Sequence, residues 1–148
     1  MHKPTPKLFV AIQLLNRALS MYYQEDSYFA ALHLAGAAEE ILGVYVEREG
    51  HQSSFTSLHA GAVEIAQTLD EDGESKPKDI IGLMNYARNR TKHMDKEGDD
   101  ELHFDPKIEA FDILNRAITN FYTLMQYFDL QETVNFQRFN SERAAPRA

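Results

Sequence analysis

The chain has 148 residues, 43% hydrophobic and 26% charged, which is enough for one domain with a sizeable core and too little for two. Seven glycines and five prolines are too few for a collagen-like, low-complexity or turn-rich β protein, and the lack of cysteine removes disulfides, thiolate metal sites and cysteine nucleophiles. No apolar run approaches about 18 residues and no charged-then-apolar leader is visible, so a soluble cytoplasmic protein without a membrane anchor is expected.

In chain order, Pro4 and Pro6 delay a first helix, in which Leu8, Ile12, Leu15, Leu19 and Tyr22 recur at helical spacing. Glu25-Asp26-Ser27 interrupts it, and Asp26 or Ser27 can accept hydrogen bonds from the free N–H groups of a new helix. That second helix should run from about Tyr28 to Glu49 and stop at Gly50. It is apolar over two neighbouring stripes, and its Ala and Gly residues suit close packing on several neighbours.

A third helix fits Ser54 to Leu69, through Phe55, Leu58, Ala62, Ile65 and Leu69, and Asp70 to Pro77 reads as an exposed loop. A fourth starts near Pro77-Lys78-Asp79, carries Ile80, Leu83, Met84 and Ala87 inward, and reaches His93. Asp95 to Glu101 is a second polar loop. Asp105-Pro106 then signals the last long helix, expected to run to about Leu130 and to be buried through Ile108, Phe111, Leu114, Ile118, Phe121, Met125 and Phe128. Gln131 to Phe139 fits either a short helix or an extended arm. Nothing alternates as a strand. The expectation is an all-α, five-helix, mostly antiparallel bundle over residues 1–139, with 140–148 as a flexible C-terminal tail.

The net charge of −8 is unevenly distributed. Asp70 to Asp79 holds five acids and two lysines, and Asp95 to Glu101 holds five acids and one lysine. Between them, Ile80 to Met94 carries Arg88, Arg90 and Lys92 and no acid, so a local basic site survives in an acidic protein.

Chemistry-bearing motifs are scarce. There is no Gly-x-Ser-x-Gly turn, no phosphate-cradling Gly-rich loop, no His-Glu-x-x-His helix and no Glu-x-x-His pair for a di-metal bundle, so neither a metal site nor another cofactor is expected. One segment stands apart: Asn85-Tyr86-Ala87-Arg88-Asn89-Arg90-Thr91-Lys92-His93. RNA cleavage without a metal needs a base for the 2′-OH, an acid for the leaving 5′-oxygen and a cation for the charged phosphorane. An imidazole exchanges protons near neutral pH, and a guanidinium grips two phosphate oxygens at once. Five residues put Arg88 and His93 about 140° apart on an ideal helix, so they converge only if the helix ends near His93 or a second copy completes the site. The competing possibility is a solvated basic face with His93 as a helix cap. Glu39 shares the stripe of Leu32, Ala35, Leu42 and Val46; its expected burial calls for a basic partner, with Arg88 favoured, whereas Glu40 should face solvent.

Arg88-Asn89 followed by His93, on the penultimate long helix of a small all-α bundle, resembles the hallmark of the HEPN superfamily. The segment Leu34-Ala35-Gly36-Ala37-Ala38-Glu39-Glu40-Ile41-Leu42 is similar to an Ala-Ala-Glu segment common there. The resemblance implies a homodimeric, metal-independent endoribonuclease, in the role of a toxin with a cognate antitoxin or of a defence effector. Arg88 and His93 would be catalytic, Asn89 and Glu39 supporting, and Arg90 and Lys92 RNA-binding. Members that have lost activity imply the alternative, a silent module binding a nucleotide, RNA or a protein partner.

Overall fold

The computed structural model describes residues 2–69, 76–95 and 97–145. Every regular element in them is a helix: α1 Lys7–Gln24, α2 Tyr28–Arg48, α3 Ser54–Leu69, α4 Pro77–Met84, α5 Tyr86–Lys92, α6 Pro106–Leu124 and α7 Val134–Ala144. The all-α expectation holds, with seven helices where the pattern gave five. Two physical details account for the difference. The expected fourth helix breaks at Asn85, whose φ of −97° and ψ of 2° leave the α-helical region for one residue. The 131–139 segment resolves as α7, which continues through Ala144 because Phe136 and Phe139 are completely buried and anchor it. The boundary expected after residue 139 therefore falls inside a helix; residues 146–148 lie outside the described residues, as do 70–75 of the expected acidic loop.

Capping follows the sequence closely. Ser27 accepts from Ala30 N–H at 3.1 Å to start α2, and Asp105 accepts from Lys107 and Ile108 N–H to start α6. Gly50, at φ +84°, takes the left-handed conformation just past α2.

The core is a layer of α2 between α1 and α6, its two most extensive partners, with α7 returning across α1 and α6. Leu15, Leu19, Leu32, Leu42, Leu114, Ile118, Phe121 and Leu124 are fully buried there. Among the described residues α2 is the one helix long and apolar enough to cross a membrane, and half of its most apolar stretch is covered inside the fold by its neighbours. Its apolarity is that of a core helix.

The α3–α4 pair behaves differently. Apart from Ser54 no residue of α3 is buried, and none of α4 is. Leu83, expected inward, is exposed, as are Leu58, Ile65 and Leu69. The two helices rest mainly on each other, with α3 touching α6, so their apolar residues meet no third layer. Ile108, also expected inside, is exposed in the first turn of α6, and α6 ends at Leu124 rather than Leu130, leaving Phe128 half-buried beyond it.

Candidate functional site

The basic segment lies on α5, a seven-residue helix whose only buried side chain is Ala87. The helix ends where sequence reasoning needed it to: His93 is the C-cap, at φ −111° and ψ 137°, and swings the chain out of helical geometry. Its ring is about half exposed, at 52%, and its Nδ1 lies 3.5 Å from Asp95 Oδ2. Asn89, Arg90, His93, Asp95 and Asp99 line one small cleft of about 200 Å³.

Arg90 is committed within this cleft. Its Nη1 donates to Asp99, a carboxylate that is itself buried and also accepts from Asp95 N–H at 2.9 Å. Part of the acidity that follows His93 in sequence therefore neutralises the basic segment and ties Asp95 and Asp99 to α5. Lys92 is exposed, and its charge bears on His33 of α2: burial first, then Lys92, pushes the His33 imidazole below its ordinary value.

Arg88 points elsewhere. Its Nη2 donates to Asn85 Oδ1 at 3.2 Å and forms an ion pair with Glu40 Oε1 at 3.0 Å, and its aliphatic stem lies across Gly36, where a Cβ would come within 2.7 Å of Cδ. Nε is buried without a hydrogen-bond partner among the described residues. Arg88 and His93 thus face different clefts: that of Arg88 lies between α2 and α3 and includes Glu39, Glu40, Glu47, Ser53 and Asn85.

Glu39 is 3% exposed, as its stripe implied, but its partner is not Arg88. Arg116 Nε on α6 donates to Glu39 Oε2 at 3.0 Å, and Glu40, the more exposed neighbour, takes Arg88. The reason is packing: Glu39 lies on the face of α2 turned toward α6, its most extensive partner. Burial pushes the Glu39 carboxyl above the usual carboxylate range, with Arg116 as the strongest opposing influence and Arg88 a lesser one.

A buried polar network around this pair was not foreseen. Asn120 donates to Glu39 O at 3.4 Å and accepts from Ser54 N–H at 2.8 Å, while Ser54 Oγ donates to Arg116 O at 2.7 Å. These bonds tie α2, α6 and the start of α3 together, and the Arg116 guanidinium also lies over the Phe55 ring. A signal existed: Arg116 and Asn120, four residues apart, interrupt the apolar face formed by Ile113, Ala117 and Leu124.

Among the described residues no three His, Asp or Glu side chains gather closely enough to hold a metal ion. Comparison with family models, curated proteins and solved structures finds no match to this chain.

Proposed function

We propose that the chain is a HEPN-like, metal-independent endoribonuclease whose site is completed by a second copy in a symmetric dimer. The observation that carries this is the place of His93: a half-exposed imidazole at the end of α5, with Nδ1 3.5 Å from Asp95 Oδ2. A carboxylate near Nδ1 favours the tautomer with the proton there, which leaves the Nε2 lone pair available as a base. Asn89 on the same cleft is placed to donate to a phosphate oxygen.

In the proposed reaction, His93 Nε2 takes the proton of the ribose 2′-OH and the 2′-oxygen attacks phosphorus. The P–O5′ bond then breaks, and the 5′-oxygen leaves with the proton that this same imidazole has just taken up. The products are a 2′,3′-cyclic phosphate and a 5′-hydroxyl. Arg88 Nη1, which makes no hydrogen bond among the described residues, is available to stabilise the phosphorane. Because Arg88 and His93 line different clefts of one copy, an isologous contact is the simple way to bring them to one phosphate.

The test is complementation. Arg88→Ala and His93→Ala are each expected to be inactive on a mixed-sequence RNA, and mixing and re-annealing them should restore a fraction of the cleavage. No recovery from proteins that demonstrably exchange subunits would contradict a site shared between copies.

One observation favours the silent binding module as a second possibility. Both guanidiniums of the basic segment already hold carboxylates, Arg88 with Glu40 and Arg90 with Asp99, which lowers their net pull on a polyanion. A stable, folded dimer that binds RNA or nucleotide and cuts neither would select that alternative.

A further inference from the structure

The Arg88 cleft is a poor place for a phosphate and a good one for a donor-rich base. It has a volume of about 200 Å³, room for a single ring system, with Val44 and Gly43 along one wall. Glu40 and Glu47 bring two carboxylates to it, Glu39 lines it with its own carboxylate held by Arg116, and among the described residues Arg88 is the one lining cation. Glu40, Val44 and Glu47 follow one another at helical spacing along α2, so the first two carboxylates stand on the same stripe. Glu47 is held in place: Thr56 Oγ1 donates to its Oε1 at 2.9 Å, and Ser53 Oγ lies 3.2 Å from the same oxygen. Its Oε2 makes no hydrogen bond among the described residues. At the α5 end, Asn85 and Arg88 offer an amide and a guanidinium.

We infer that this cleft is a guanine subsite, which seats the base of the nucleotide whose phosphate reaches Arg88 and rests on the ribonuclease function proposed above. A fixed carboxylate accepts from two adjacent N–H groups, and among the four RNA bases only guanine presents such a pair, N1–H beside the N2 amino group. Its opposite edge carries the O6 and N7 acceptors, to which an arginine or an amide donates. Adenine, cytosine and uracil each set a carbonyl or a ring-nitrogen lone pair against the carboxylate where guanine sets a donor. The acidic lining keeps the phosphate out of the cleft and on the Arg88 side, so the base enters and the backbone stays at the mouth.

The experiment is titration of the full-length protein with GMP, AMP, CMP and UMP, followed by calorimetry and by amide shifts, alongside base mapping of cleavage ends. GMP should bind at least tenfold more tightly than the other three and shift the amides of Gly43, Val44 and Asn85. Glu47→Gln, checked for an unchanged melting temperature, should lose that preference because its amide offers a donor where guanine also donates. Equal affinity for all four nucleotides, with His93-dependent cleavage intact, would overturn the guanine subsite and leave the ribonuclease function standing. Guanine preference in a protein that cleaves no RNA would support the subsite and remove the ribonuclease. Preference that survives in Glu47→Gln would overturn the assignment to this cleft.

Discussion

Glu39 and Glu40 are adjacent in sequence and pair with different helices: Glu39 is bound in the core by Arg116 of α6, and Glu40 reaches out to Arg88 of α5. The two pairs differ sharply in burial. Arg116 and Glu39 are 9% and 3% exposed, whereas Arg88 and Glu40 are 14% and 65% exposed. Removing one partner of a buried pair strands the other charge without water, while an exposed pair loses little. Glu39→Ala should therefore lower stability by about 3–5 kcal/mol, through the stranded Arg116. Glu40→Ala should cost less than Glu39→Ala, because Glu40 itself faces water and Arg88 keeps its hydrogen bond to Asn85. Urea unfolding followed by circular dichroism measures both, and similar losses for the two variants would show that the Arg116 pairing does not hold the core.

The sequence carried the α-helical class, the starts of α2 and α6 and the full extent of α3, because caps and apolar periodicity are local properties. It also carried the burial of Glu39. It could not choose between Arg116 and Arg88 as its partner, since that depends on which helix lies against which face of α2. The break at Asn85 was equally hidden: nothing in Met84-Asn85-Tyr86 forbids a continuous helix, and only tertiary packing separates α4 from α5. For the candidate site, the helix end at His93 was legible from spacing. The separation of Arg88 from His93 was half-legible, as an angle on a helix, and became definite only when Gly36 and Glu40 were seen to draw Arg88 toward α2.

His33 offers an independent check on how α5 sits against α2. Its imidazole is pushed below the ordinary value of 6.5, chiefly by burial and then by Lys92. The folded protein therefore binds this proton less readily than the unfolded chain. The stability this provides is complete above 6.5 and is lost as pH falls through the depressed folded value. A proton-detected histidine titration should find His33 below 6.5, and Lys92→Gln should move it upward. A His33 titration unaffected by Lys92→Gln would place the two groups farther apart.

Gly36 is the position where a single methyl group separates stability from arginine placement. Alanine in mid-helix is favoured over glycine by about 1 kcal/mol, yet a Cβ here would meet Arg88 Cδ at 2.7 Å. Arg88 is a flexible side chain and can move away, at the cost of its contacts with Glu40 and Asn85. Gly36→Ala should unfold within about 1 kcal/mol of the parent protein while losing RNA cleavage as Arg88→Ala does. Full cleavage by a folded Gly36→Ala protein would show that the observed position of Arg88 is not needed for the reaction.

The most direct measurement is the fate of a mixed-sequence RNA incubated at neutral pH in excess EDTA with the parent protein and with His93→Ala. The expected result is cleavage by the parent that leaves 2′,3′-cyclic phosphate ends, and a loss of about 10²- to 10⁴-fold in the variant, the usual contribution of a general acid–base group. Circular dichroism should show the variant folded, since His93 is half exposed and holds no core contact. Cleavage that vanishes with EDTA, 3′-hydroxyl ends, or undiminished activity in His93→Ala would each contradict the account.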